Sequence, residues 1–124
     1  TFDVVDHDGA YIGGVIAPGV NLSLQALHQM AAALPHVDIA KPKEVIGKNT
    51  VSCMQSGVFW GYIGLVKEIC RKIKEEKKEA MRVVATGGLA PLLQSTEKLF
   101  ENVEENLTMQ GLRLIFDYNK SLES

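Results

Sequence analysis

A long helical pattern in the middle of the chain limits the possible folds more than any other feature of the sequence. Asn49 or Thr50 is a suitable N-cap, and apolar residues then recur at close to the helical period as far as about Lys77. The charged run at residues 71–79 indicates that the end of this helix is solvated. The predicted apolar stripe consists of Val51, Met54, Val58, Leu65, Ile69 and Ile73.

Three glycines interrupt this helix on one face. Gly57, Gly61 and Gly64 are spaced i, i+4 and i+7, and each glycine costs a helix about 1 kcal/mol relative to alanine. The spacing predicts that another backbone approaches this face closely, either within the fold or across a subunit interface.

The start of the chain predicts an antiparallel hairpin. Residues 1–6 and 11–17 have strand patterns, and Gly9 lies in the turn between them. Gly13 and Gly14 interrupt the second strand, which predicts a bulge or a close approach of backbone.

A shorter helix follows the hairpin. Asn21 or Ser23 is the predicted N-cap, and Pro35 ends the helix. Residues 36–48 then connect it to the long helix. The predicted apolar positions of the shorter helix are Leu24, Leu27, Met30, Ala31 and Leu34.

The last third of the chain predicts one more strand and two helices. Residues 81–85 have the pattern of a strand covered on both faces, and residues 91–100 that of a helix. An acidic loop follows, and a final helix starts near Thr108. Its predicted packing residues are Leu112, Ile115 and Phe116.

This order of elements predicts an α/β fold. A hairpin and one inner strand make a thin sheet for so many helices, so we expect that a first strand is missing and that the chain is the later part of a longer protein. The length of 124 residues predicts a single domain, residues 1–124, truncated at its start.

Composition excludes several classes of protein. Charged residues make up 23% of the chain, the net charge is −2 and the pI is near 5.9, so we expect no nucleic-acid partner. No apolar run is long enough to span a membrane. Cys53 and Cys70 are predicted to be reduced thiols, since two cysteines cannot form a disulfide scaffold. No catalytic triad is recognisable among the histidines and serines.

Two segments carry candidate chemistry. Thr86, Gly87 and Gly88 follow a predicted strand, where ligands of open α/β sheets bind and where glycine lets a ligand lie against the backbone. The alternative is a strand-to-helix turn that uses glycine for its shape alone. Residues 47–50 (Gly-Lys-Asn-Thr) precede the long helix and lack the first glycine of a P-loop. They are either a plain N-cap or a polar-ligand site at the positive end of the helix dipole.

Taken together, four blocks of sequence resemble the second half of type III pantothenate kinases. The blocks are Gly-Gly-Val-Ile-Ala-Pro-Gly at residues 13–19, Gly-Lys-Asn-Thr-Val at 47–51 with Met-Gln-Ser-Gly at 54–57, Ala-Thr-Gly-Gly-Leu-Ala at 85–90, and Leu-Thr-Met-Gln-Gly-Leu at 107–112. The resemblance implies a ribonuclease H-like domain of the superfamily of actin, sugar kinases and heat-shock chaperones. It implies transfer of the ATP γ-phosphoryl group to pantothenate, the first step of coenzyme A synthesis, in a cytoplasmic homodimer that uses Mg²⁺ and a monovalent cation (K⁺ or NH₄⁺).

The resemblance assigns roles to four residues. Thr50 matches the threonine that contacts the substrate pantothenate, and Thr86, Gly87 and Gly88 match the motif beside the adenosine of ATP. The family's two phosphate motifs and its catalytic aspartate have no counterpart in this sequence. We therefore expect no catalytic and no metal-binding residue on this chain, no activity from it alone, and a need for the amino-terminal half as a partner. The alternative is a non-catalytic binding or transcription-accessory module of the same lineage.

Overall fold

The computed structural model describes residues 1–30 and 34–122. The chain divides into two compact units, residues 1–73 and 74–124. The elements of the first unit are β1 (Phe2–Val5), β2 (Tyr11–Val15), α1 (Val20–Met30) and α2 (Thr50–Lys77), whose last turn belongs to the second unit. The elements of the second unit are β3 (Val84–Ala85), α3 (Ala90–Gln94), β4 (Asn102–Val103) and α4 (Leu107–Leu122). This confirms a mixed α/β chain.

The predicted hairpin is confirmed. β1 and β2 pair antiparallel, with a register shift that leaves Ile12 as an extra residue beside Gly13. Gly13 has a φ of +123°, a conformation that residues with a Cβ rarely adopt. A Cβ on Gly14 would lie 2.1 Å from the carbonyl oxygen of Phe2. The two glycines thus serve the two predicted purposes, a bulge and a close approach of backbone.

The prediction for the start of α1 was wrong. The helix begins at Val20, and the carbonyl of Gly19 accepts the amide hydrogen of Ser23 at 3.0 Å. Gly19 is therefore the N-cap, because its carbonyl accepts the first helical hydrogen bond. At the other end, Ala31 lies outside the described residues, and Leu34 is not helical.

α2 confirms the predicted long helix but turns a different face to the core. Its buried side chains are Met54, Ser56, Phe59, Ile63 and Val66, and Phe59 is 0% exposed. The line from Ser56 to Val66 lies roughly 120° around the helix from the predicted stripe, at 100° per residue. Periodicity identifies apolar positions but not which of them meet a neighbouring element. Three members of the predicted stripe, Met54, Val58 and Leu65, line an open groove that α2 forms with α1.

The glycine face of α2 has no close neighbour within the chain. No atom lies within 4 Å of a Cβ built on Gly57, Gly61 or Gly64. Among the described residues, the expected close approach within the fold is therefore wrong. The alternative, an approach across a subunit interface, stays a prediction.

The second unit is built on a short parallel pair of strands. β3 covers only Val84–Ala85, and Val84 is 46% exposed, so the expected strand with two covered faces was wrong. β4, which the sequence did not predict, lies in the expected acidic loop and pairs parallel with β3. The helix predicted over residues 91–100 ends at Gln94, and Phe100 is buried outside it.

α4 was predicted to pack through three of its side chains, and this was wrong. Leu112, Ile115 and Phe116 are 56%, 60% and 66% exposed, and α4 has no buried residue. The helix forms, but no described part of the chain covers it.

Two substitutions of glycine should have opposite effects on stability. We expect Gly61→Ala to raise the free energy of unfolding by about 1 kcal/mol, because the added methyl meets only open space and alanine favours the helix. Gly14→Ala should lower it by about 1–3 kcal/mol, because the methyl would overlap the Phe2 carbonyl. Thermal unfolding of the two variants beside the parent chain measures both effects. Stabilisation by Gly14→Ala would contradict the hairpin geometry.

Candidate functional site

The loop before α2 is held by a reciprocal cap between Asn49 and Ser52. The side-chain Oδ1 of Asn49 accepts the amide hydrogen of Ser52 at 2.9 Å, and the amide of Asn49 donates to the Ser52 Oγ at 3.1 Å. The carbonyl of Asn49 accepts the amide of Cys53 at 2.9 Å. Of the two predicted caps, Asn49 is therefore the N-cap, and Thr50 is the first helical residue.

Ser52 is a positioning residue that the sequence analysis missed. Its hydroxyl accepts a second hydrogen bond, from the Lys48 amide at 2.9 Å, and donates one to the Asn49 carbonyl at 3.0 Å. All the bonding capacity of one hydroxyl is thus used within the cap. A capping box has the same spacing of three residues, usually with Glu or Gln in the last position. That spacing is the signal by which Ser52 could have been found.

Gly47 brings the loop against the first turn of α2. A Cβ at this position would lie 2.4 Å from the Cys53 amide nitrogen, so only glycine fits without a shift of backbone. One turn further on, the hydroxyl of Ser56 donates to the carbonyl of Val45. These contacts attach the loop to the helix that it precedes.

The cap leaves Thr50 open to solvent. Its side chain is exposed, and among the described residues neither its hydroxyl nor its amide makes a hydrogen bond. The same holds for the amide of Val51. These groups lie in the first turn of a long helix, where the helix dipole favours a negative ligand. One hydroxyl and two backbone amides are thus available to hydrogen-bond a small polar ligand.

The second candidate segment is an open turn between β3 and α3. Thr86, Gly87 and Gly88 are all exposed. Gly87 has a φ of +99°, and no atom lies within 4 Å of a Cβ built on either glycine. The carbonyl of Gly87 accepts the amide of Ala90 at 3.1 Å. The backbone of this turn is thus exposed, and its role as a ligand site stays a prediction.

Glu101, directly before β4, hydrogen-bonds the residue that precedes β3. Its carboxylate accepts the Val83 amide at 2.5 Å, and its own amide donates to the Val83 carbonyl at 2.9 Å. The Nζ of Lys74 lies 3.7 Å from the same carboxylate. The hydrogen bond from Val83, with a smaller contribution from Lys74, holds the pKa of Glu101 below its usual range. The sequence analysis placed Glu101 in a loop and missed this role.

The four predicted site residues form two groups. Thr86, Gly87 and Gly88 lie in one turn of the second unit, whereas Thr50 belongs to the first unit.

The carboxylate of Asp6, in the hairpin turn, accepts hydrogen bonds from the amides of Asp8 and Ala10, at 3.0 and 2.9 Å. That carboxylate builds a turn.

Neither a metal cluster nor a membrane span is found in the described part of the chain. Residues 1–30 and 34–122 contain no group of three or more His, Cys, Asp or Glu side chains that could hold a metal ion. Within the same residues, no helix is long and apolar enough to cross a membrane.

In α/β proteins, helix starts and the turns after strands are common places for small ligands to meet backbone groups, and this α/β chain has one of each open to solvent. The model of the type III pantothenate kinase family matches residues 1–72, and the chain belongs to this family.

Curated relatives match over almost the whole chain. A type III pantothenate kinase of Roseobacter denitrificans is 71% identical over 123 residues, which is 99% of this chain and 48% of the relative. Those of Ruegeria sp. and Cereibacter sphaeroides are 69% and 68% identical, over 98% and 99% of this chain and 47% and 48% of theirs. The chain spans about half the length of the curated relatives it matches.

Proposed function

We propose that this chain is the carboxyl-terminal part of a pantothenate kinase, which transfers the γ-phosphoryl group of ATP to pantothenate in the first step of coenzyme A synthesis. The observation that carries the proposal is the 71% identity to a type III pantothenate kinase over 99% of this chain. The fold expected with this function is a ribonuclease H-like domain of the actin, sugar-kinase and heat-shock-chaperone superfamily.

Thr50 binds pantothenate in this proposal. The two free amides of the first turn of α2 are held in place by the helix, so the protein loses little entropy when they bind a ligand beside the Thr50 hydroxyl. Pantothenate carries a carboxylate, amide and hydroxyl groups, and its negative charge suits the amino end of a helix. The cap formed by Asn49 and Ser52 supports this role because it consumes its own polar groups and leaves those of Thr50 free.

Thr86, Gly87 and Gly88 form the adenosine side of the ATP site. The absence of side chains on the two glycines lets the base or ribose lie directly against the backbone. Glu101 positions the turn from its other side, through its hydrogen bond to the Val83 amide, directly before β3.

The charge that phosphoryl transfer requires comes from outside this chain. Positioned charges around the transferred group supply most of the catalysis in kinases, and the family's phosphate motifs and catalytic aspartate have no match here. The described residues also contain no group of three or more His, Cys, Asp or Glu side chains that could hold Mg²⁺. In this proposal the part of this chain is to bind and orient the two substrates.

The active enzyme is a cytoplasmic homodimer in this proposal. The glycine face of α2 is a suitable seam, because no atom beyond the helix's own neighbouring backbone lies within 4 Å of a Cβ built on Gly57, Gly61 or Gly64; α1 flanks Gly57 and Gly61 only across an open groove. A partner helix could therefore approach to the distance of backbone contact, and the cost of the glycines would be offset in the assembled enzyme.

Reconstitution from two chains tests the function. We expect residues 1–124 alone to form no phosphopantothenate from ATP and pantothenate. The half of the Roseobacter denitrificans relative that this chain does not span should also form none by itself. Mixed together, the two chains should turn over, since the phosphate motifs and both substrate segments are then present. Product is measured by mass spectrometry. Turnover by residues 1–124 alone, or none from an associated pair, would contradict the proposal.

Thr50→Ala tests the pantothenate site. Loss of one hydrogen bond of about 1 kcal/mol should raise the KM for pantothenate roughly fivefold in the reconstituted enzyme, with the KM for ATP unchanged. Thr50→Ser is the matched control, because it keeps the hydroxyl and should behave like the parent. An unchanged KM and kcat for pantothenate in Thr50→Ala would remove Thr50 from the site.

Gly88→Val tests the nucleotide turn. The added side chain points into open space in the chain alone, so the fold should persist, but it should block the ligand and weaken ATP binding by tenfold or more. Pantothenate affinity should be unchanged, the reverse of the Thr50→Ala result. Calorimetry of the reconstituted pair measures both affinities, and equal ATP affinity in parent and variant would mean that the turn is purely structural.

A further inference from the structure

Among the helices of the described residues, α4 carries the most exposed large apolar side chains. It has no buried residue over its 16 positions, and the exposure of its large apolar side chains runs from 43% at Leu107 to 70% at Leu114. The other members of this set are Met109, Leu112, Ile115, Phe116, Tyr118 and Leu122. We call these eight side chains the α4 apolar arc.

The arc is too wide for a surface helix. At 100° per residue its members cover roughly 220° of the circumference, interrupted by Thr108, Gly111 and Asn119. The remaining sector is polar and contains the exposed pair of Arg113 and Asp117, whose nitrogen and oxygen lie 3.6 Å apart. A helix that packs on one side of a globular protein needs an apolar stripe of only about 100°.

Such a helix needs a partner in water. Isolated helices of about this length are marginally stable, and most helical stability in proteins comes from the packing of an apolar face. Exposed apolar patches of this extent mark interaction surfaces. The first turns of α4 also contain the block at residues 107–112 that resembles the family, for which the proposed substrate sites give no role.

We infer that the α4 apolar arc is the docking element for the amino-terminal half of the kinase, the half of the family's length that this chain does not span. The inference rests on the proposed function. Two observations favour this occupant over a second copy of the chain. The relatives are about twice as long, since the chain covers 48% of the first of them, so a body of comparable size is there to cover the helix. The width of the arc requires a surface that wraps most of the helix, whereas a symmetric pair of helices covers only a narrow seam.

Hydrogen exchange tests the docking in the parent chain. The amides of residues 107–122 should exchange rapidly in residues 1–124 alone and at least tenfold more slowly once the complementary half of the Roseobacter denitrificans relative is added. Equal protection of α4 in the chain alone, whether by its own residues or by a second copy seen in light scattering, would overturn the inference.

A pair of charge substitutions tests the face. Ile115 lies near the centre of the arc, and Ile115→Glu should weaken association of the two halves at least tenfold, measured by calorimetry. Arg113→Gln makes the same change in net charge on the polar sector, with the loss of one exposed ion pair, and should change the affinity less than twofold. Ile115→Ala keeps the helix propensity and should give an intermediate loss, which separates docking from unfolding of the helix. An unchanged affinity in Ile115→Glu would overturn the inference.

The kinase assay separates this inference from the function on which it rests. If the two halves associate and α4 is protected but no phosphopantothenate forms, the proposed function is contradicted and the docking of α4 is supported. If the pair forms phosphopantothenate while α4 stays unprotected from exchange, only the proposed docking of α4 is contradicted.

Discussion

The reciprocal hydrogen bonds between Asn49 and Ser52 determine where the dominant helix of this chain begins. If the helix began one residue later, Thr50 would be the cap, and its hydroxyl would be consumed by the backbone. Because Asn49 supplies the cap and Ser52 uses all of its hydroxyl on the loop, the hydroxyl of Thr50 remains available. A local hydrogen-bond choice thus decides whether this segment can bind a ligand, before any tertiary contact is considered.

In the second unit, a side-chain hydrogen bond from outside the turn supports the exposed glycine turn. Two short strands cannot hold a turn by ladder hydrogen bonds alone, and Glu101 adds a carboxylate bond to the Val83 amide. The carboxylate is exposed, so it retains water contact while it accepts this bond. The turn at Gly87 and Gly88 can then stay free of side-chain contacts, since the structure that holds it lies behind it on β3 and β4.

Two faces of the chain are complete in local structure but lack burial. The glycine face of α2 and the α4 apolar arc both form regular helix, yet among the described residues the first has no close neighbour and no side chain of the second is buried. Helix propensity and capping are local properties of the sequence, and they favour a regular helix whether or not it is covered. They do not supply the apolar contacts that make a helix stable in water. In the proposed enzyme the two faces have different occupants, a second subunit for the glycines and the amino-terminal half for α4.

The sequence by itself determined the hairpin, the long helix and the family, because each depends on local signals: glycines in a strand, apolar residues at the helical period, blocks of residues in a fixed order. The four candidate site residues stay predictions that rest on those blocks. Only the tertiary structure decided which face of α2 is buried, because periodicity marks apolar positions around a helix without naming the neighbour that covers them. It likewise decided that Glu101 sits beside β3 and that Asn102–Val103 is a strand, since a two-residue parallel strand has no periodic signal and exists only through its partner. The expected packing of Leu112, Ile115 and Phe116 failed for the same reason. An apolar pattern indicates that a helix face favours burial, but the residues that bury it belong to another part of the fold.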